Sequence, residues 1–136
     1  MSWSFDNNKP IYLQIMEKIK FQIISHELEA SQQLPTVRKL ASETGVNTNT
    51  IQKAFSNLEK EGFVFCKRTA GRFVTENQEF ISKYRKQLAK KQLKDFIFSM
   101  AHFGYQEEEL PAIIRDYIKR IETTNYNQVK PTKNSF

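Results

Sequence analysis

Residues 45–62 read GVNTNTIQKAFSNLEKEG, and the front of that stretch carries Asn47, Thr48, Asn49, Thr50 and Gln52 with no acidic residue among them. Side-chain amides and hydroxyls both donate and accept hydrogen bonds. The base edges in the major groove of duplex DNA present both kinds of partner, and an Asn or Gln amide matches adenine with paired bonds. Thr48 and Thr50 are suited to bases or to phosphate oxygens. Cations nearby would hold the phosphate backbone and fix register without reading sequence. Arg38 stands before the stretch, Lys53 within it, and Lys67, Arg68 and Arg72 after it. Asn and Thr after a glycine also cap ordinary helices, so the stretch takes its meaning from the unit around it.

That unit is two helices joined by a glycine corner. Thr36 can cap a short helix in which Val37, Leu40 and Ala41 share one face while Arg38 and Ser42 point away. Gly45 turns left-handed at no steric cost, and Asn47 directly after it is a favoured cap for the next helix. There Ile51, Ala54, Phe55 and Leu58 fall on one stripe, and Gly62 stops the helix. The spacing gives Ala41, Gly45 and Ile51 separate tasks: close crossing, the corner, and a plug between the helices. This is a helix-turn-helix pattern, whose second helix lies in the major groove with its front end at base edges.

Upstream, Ile11, Tyr12, Ile15, Ile19, Ile23 and Ile24 recur at helical spacing behind Pro10, and HELEASQQLP reads as a connection ended by Pro35. Downstream, FVFCKRTAGRFV reads as a hairpin with its tip at Thr69, Ala70 and Gly71. On its strands Cys66 shares a face with Val64 and is expected to be buried on the third helix. A long helical pattern from Gln78 runs to Gly104, and a last helix follows QEEEL, starting either near Glu107 or at Pro111.

The totals agree with one small domain plus an appendage. The chain has 136 residues, a net charge of +6, eleven Phe, four Gly and four Pro, which suits a folded and mainly helical protein. A single cysteine makes no internal disulfide, the N-terminus lacks a signal-peptide pattern, and no apolar run reaches the roughly twenty residues of a membrane span, so a cytoplasmic protein is expected. No phosphate-cradling glycine loop, metal-ligand spacing or nucleophile with a histidine partner is present, which argues against an enzyme and calls for no cofactor or metal. A second reading remains open: the scaffold could serve as a protein-interaction adaptor without DNA.

LPTVRKLASETGVNTNTIQKAFSNLEKEGFV, preceded by KPIYLQIMEKIK and followed by RTAGRFV, resembles the winged helix-turn-helix domain of the GntR superfamily of bacterial transcription regulators, over residues 9–74. The resemblance implies operator DNA contacts by Arg38, by Asn47, Thr48, Asn49, Thr50 and Gln52, and by Arg68, Thr69, Ala70, Gly71 and Arg72 at the wing, beside the phosphate anchor read from Lys53 itself. Three positions depart from the family's pattern. Thr69 stands where a wing glycine is usual, Arg72 stands where a Thr is usual and could supply a charged contact instead, and Lys39 replaces an acidic residue, so the second helix has no capping box.

The fold expected is mainly α with a small β-hairpin wing: a DNA-binding domain over 1–76, a two-helix dimerisation region over 77–123, and a disordered tail over 124–136. About sixty residues after the wing exclude the family's large effector domains, and with only His26 and His102 a metal-dependent sensor is excluded as well. The length resembles the YtrA subfamily, which implies a homodimeric repressor on a near-palindromic site, with recognition helices about 34 Å apart, beside a transporter operon of the ABC type. Dimer contacts are expected from Phe80, Tyr84, Leu88, Phe96, Met100, Ile113, Ile114, Tyr117, Ile118 and Ile121. Lys83, Arg85, Lys86, Lys90, Lys91 and Lys94 are read as a solvated face. A small-molecule effector is compatible with the aromatics Phe80, Tyr84, Phe96 and Phe103 but not indicated by them.

Overall fold

Pro10, which has no N–H to leave unpaired, precedes α1 (Ile11–Ile24), and the Gln14 amide ties the approach to it. Gln14 Oε1 accepts from the Asp6 N–H at 2.8 Å, while its Nε2 donates to the carbonyls of Asp6 and Lys9 at 2.7 and 2.9 Å. Then come α2 (Val37–Thr44), α3 (Thr48–Glu61), β1 (Val64–Lys67), β2 (Gly71–Val74), α4 (Gln78–His102), a 3-10 turn (Glu107–Glu109) and α5 (Leu110–Thr124). This computed structural model describes residues 3–124. The tail expected to be disordered lies outside them, except that Thr124 closes α5.

The caps predicted from local chemistry are all present. Thr36 Oγ1 accepts the Lys39 N–H at 3.0 Å, and Asn47 Oδ1 accepts the Asn49 N–H at 2.7 Å. Gly45 ends α2 at φ 72° and Gly62 ends α3 at φ 93°, both left-handed. Ile51, Ala54, Phe55 and Leu58 are buried, and α1, α2 and β1 all pack on α3. Ile15, Met16, Ile19 and Ile23 from α1, Leu40 and Ala41 from α2, and Phe63, Val64 and Val74 from the hairpin complete that core.

β1 and β2 pair antiparallel, Val64 opposite Val74 and Lys67 opposite Gly71. The connection before α2 is not a bare loop: Gln33 bridges Phe73, and Leu34 N–H donates to the Arg72 carbonyl at 2.9 Å, giving the hairpin a third edge. Cys66 corrects the sequence reading, since it is exposed rather than buried. Burial falls off along β1 after Val64, so the strand leaves α3 before it reaches the thiol.

The chain divides into two compact units between Ser82 and Lys83, inside α4 and six positions beyond the boundary expected at residue 76. The first turn of α4 belongs to the winged unit because Ile81 is buried there and Phe80 meets Phe63 edge-on, with ring centroids 5.0 Å apart. Phe80, expected among the dimer contacts, is therefore engaged inside its own chain. In the second unit Gly104 (φ 94°) ends α4's run, and Gln106 with Glu109 forms a capping box that opens the 3-10 turn. Pro111 falls in the first turn of α5, where its missing donor costs nothing.

Gly45 has open space around the position a Cβ would occupy, so a side chain there would meet only backbone strain. Gly45→Ala is expected to lower unfolding free energy by about 1–2 kcal/mol, and Gly45→Asn by less, because Asn tolerates the left-handed region better. Urea unfolding of the two variants checks the order, and equal stability of Ala and wild type would remove the strain argument.

Candidate nucleic-acid interface

The core stripe of α3 decides which residues it leaves outside. With Ile51 fully buried, Asn47, Thr48, Asn49, Gln52 and Lys53 are exposed and Thr50 is half-buried at the edge. Gln52 Nε2 donates to Ser56 Oγ at 3.2 Å, which aligns its amide along the helix, and Lys53 Nζ lies 4.0 Å above the Tyr12 ring. Neither α2 nor α3 has an acidic residue in its first turn, so the positive end of each helix dipole is left without a carboxylate. Arg38 is exposed in the first turn of α2, two residues past the Thr36 cap.

The wing presents Arg68, Thr69 and Ala70 to solvent in a three-residue loop closed by the Ala70 N–H on the Lys67 carbonyl at 3.1 Å, with exposed Gly71 starting β2. Thr69, at the position where the family pattern has glycine, adopts φ 70°. A β-branched residue in that region carries strain of about 1–2 kcal/mol. Lys67 Nζ sits 5.0 Å over the Phe73 ring.

Arg72 departs from expectation. Its guanidinium lies 5.5 Å over the Phe55 ring, and Nε stands 3.5 Å from Glu59 Oε1, a charge contact without hydrogen-bond geometry. The side chain is 20% exposed, on the face that packs against α3. It therefore joins the wing to the recognition helix, and Arg68 is the wing-tip cation left facing out. The alternation of β2 carries this information, because Arg72 shares a face with buried Val74. Among the described residues no three His, Cys, Asp or Glu side chains gather as metal ligands.

The profile of "Bacterial regulatory proteins, gntR family" matches residues 11–74, the span of α1 through β2. The HTH-type transcriptional regulator YhcF of Bacillus subtilis (strain 168) is 36% identical over 110 residues, covering 81% of this chain and 91% of that protein. This chain belongs to the GntR family. The HTH-type transcriptional repressor YtrA of the same organism is 31% identical over 111 residues, covering 81% of this chain and 85% of its own. A GntR family transcriptional regulator from Listeria monocytogenes superposes with TM-score 0.74 and 34% identity, over 82% of this chain and 98% of that one. Both similarities extend well past the wing. As a GntR protein the chain is a DNA-binding transcriptional regulator with a winged helix-turn-helix, and its relatives are regulators rather than enzymes.

The two wing arginines of this GntR protein are expected to respond differently to mutation. Arg68→Ala should reduce the slope of log affinity against log salt by about 0.9, the loss of one phosphate contact. Arg72→Ala should leave that slope alone and instead lower unfolding free energy by about 1 kcal/mol, through its lost ring contact. DNA titrations at several salt concentrations, paired with urea unfolding, distinguish them; a reduced slope for Arg72→Ala would put its guanidinium on phosphate.

Proposed function

We propose that this GntR regulator is a cytoplasmic homodimeric repressor that binds a near-palindromic operator, with α3 in the major groove. The carrying observation is the exposed and uncharged front of α3, held opposite a fully buried stripe. In this reading Asn49 and Gln52 meet base edges, Thr48 and Thr50 meet bases or phosphates, and Asn47 caps the helix beside them. Arg38, Lys53 and Arg68 hold the backbone, and Thr69, Ala70 and Gly71 bring the wing tip along the neighbouring groove. The similarity to YtrA supports repression, and the target proposed is an operon for an ABC-type transporter.

Dimerisation is proposed for the second unit. Its helices expose Leu93, Phe96, Ile97, Phe98, Ile114 and Ile118, with Phe103 74% and Tyr117 64% accessible. Among the described residues α4 and α5 make little backbone contact with each other, and beyond buried Leu110 much of the apolar surface of α5 stays accessible within one chain. A second copy supplies the missing cover, with Tyr84, Leu88, Met100, Ile113 and Ile121 half-buried at the edges of the same faces. Phe98 joins this set although its spacing puts it off the main stripe. The residue set proposed as the contact region thus begins after Phe80, at Tyr84.

Two measurements test these readings. On a duplex selected from random sequence by the wild-type protein, Asn49→Ala should lose about 5- to 100-fold in affinity, while binding to unrelated duplex changes little. Uniform loss on both duplexes would deny Asn49 a reading role, and no duplex binding by the wild type would favour a protein-interaction adaptor. Separately, the double variant Tyr117→Glu, Ile118→Glu should sediment as a monomer and bind the selected duplex at least about tenfold more weakly. A dimer that survives both charges would place the interface elsewhere.

A further inference from the structure

The wing tip is held by a residue outside its own strands. Gln33, in the stretch between α1 and α2, donates from Nε2 to the Ala70 carbonyl at 2.7 Å across 37 positions of sequence. The backbone around it is part of the same ladder: Gln33 bridges Phe73, Val74 N–H donates to the Gln32 carbonyl at 2.9 Å, and Leu34 N–H donates to the Arg72 carbonyl at 2.9 Å. Two residues beyond Leu34, Thr36 caps α2. One short segment therefore touches the wing tip at one end and starts the helix-turn-helix at the other.

The tip needs such a brace. Its loop is closed by a backbone bond from Ala70 N–H to the Lys67 carbonyl, and its middle residue Thr69 sits at φ 70°, a region in which a β-branched residue is strained. Gly71 at φ 109° makes room for the brace, because a Cβ there would stand 3.0 Å from Gln33 Nε2. An amide suits the position: it supplies a donor to the Ala70 carbonyl while adding no charge beside Arg68.

We propose that Gln33 is a positioning residue for DNA recognition. By tying the Ala70 carbonyl to the segment that leads into α2, it sets where Arg68 and the loop stand relative to Arg38 and α3, and so which phosphates the wing reaches. Gln33 acts through the loop and need not touch DNA itself. The proposal rests on the DNA-binding reading above and adds to it a residue that lies outside both the recognition helix and the wing.

The test uses the full chain with Gln33→Met, which keeps the length of the side chain and removes the donor, and Gln33→Ala as a second variant. The Gln33 side chain is exposed although its backbone bridges Phe73, and unchanged urea unfolding confirms that each variant is folded. On the selected duplex both should bind about three- to tenfold more weakly, the effect of one lost hydrogen bond, with a shallower salt slope. In an Arg68→Ala background the Gln33 change should add almost nothing, because the contact it positions is already gone. Amide exchange at residues 68–71 should quicken in Gln33→Met without DNA present, while the amides of α3 keep their protection. Wild-type affinity and slope, a fully additive loss with Arg68→Ala, or unchanged tip amides would each overturn the proposal. A wild-type protein that selects no duplex overturns the DNA reading and this inference together, and the tip amides, which need no DNA, tell that failure from a failure of the brace.

Discussion

One apolar stripe on α3 has to satisfy three neighbours at once. Ile51, Ala54 and Leu58 are fully buried, Phe55 nearly so, and α1, α2 and β1 each pack on that helix. Burying such side chains contributes about 1.5–3 kcal/mol apiece relative to exposure, which exceeds anything the polar edge of α3 could gain by rotating inward. The helix is thus locked about its own axis. What lies opposite the stripe is left in solvent as a consequence of packing, and Asn49 and Gln52 need no support of their own to face outward. A recognition helix that could roll by one residue would present a different set of groups, so the core fixes the reading edge as well as the fold.

The wing shows the same logic with a different solution. Where the family pattern has a threonine, this chain has Arg72, whose guanidinium lies over Phe55 and beside Glu59 of α3. Its aliphatic stem covers apolar surface between hairpin and helix while the charge meets a carboxylate at the margin. The hairpin is therefore pinned to α3 at its middle, to Phe63 at its base through the Thr75 N–H at 2.9 Å, and to the connection before α2 along its outer edge. The loop from Arg68 to Ala70 is held to that same connection through the Ala70 carbonyl, which accepts from Gln33 Nε2 at 2.7 Å.

Much of this was legible in the chain because it depends on local rules. Gly45 and Gly62 announce their corners through left-handed backbone that few other residues adopt, Thr36 and Asn47 announce their caps through side-chain oxygens, and the stripe of α3 follows from periodicity alone. The features that escaped are settled by distant parts of the sequence. Cys66 alternates with Val64 as a buried residue should, yet the strand has already left the helix when it arrives there. Arg72 carries a charge that suggested solvent, while its alternation with Val74 pointed inward, and packing decided for the alternation. Gln33 gave no signal, since a glutamine in a connecting segment acquires meaning only when a loop 37 positions away is folded against it. Phe80 followed the pattern of the long helix, but the unit boundary after Ser82 leaves that first turn with the wing.

In the proposed dimer the second unit would bear on how tightly the first can bind. The outward-facing contact groups on each winged unit are mostly neutral, with Arg38 and Arg68 as the clear cations and Lys53 already seated over Tyr12. With the contacts proposed here few phosphates would be neutralised per copy, so a single winged unit would gain little of the electrostatic affinity that dominates DNA binding. Two copies joined through α4 and α5 change this without any new contact, because the second half-site is met at the effective concentration set by the link. The apolar character of α4 suits a permanent link: Leu93, Phe96 and Ile97 occupy one side, Phe98 another, and a helix apolar on more than one side requires cover from more than one neighbour. In the proposed dimer that cover comes from both helices of the partner, which ties folding of the second unit to assembly. A weak reader made bivalent in this way responds steeply to whatever alters the dimer or the spacing of its halves, and that is where regulation of operator occupancy would act.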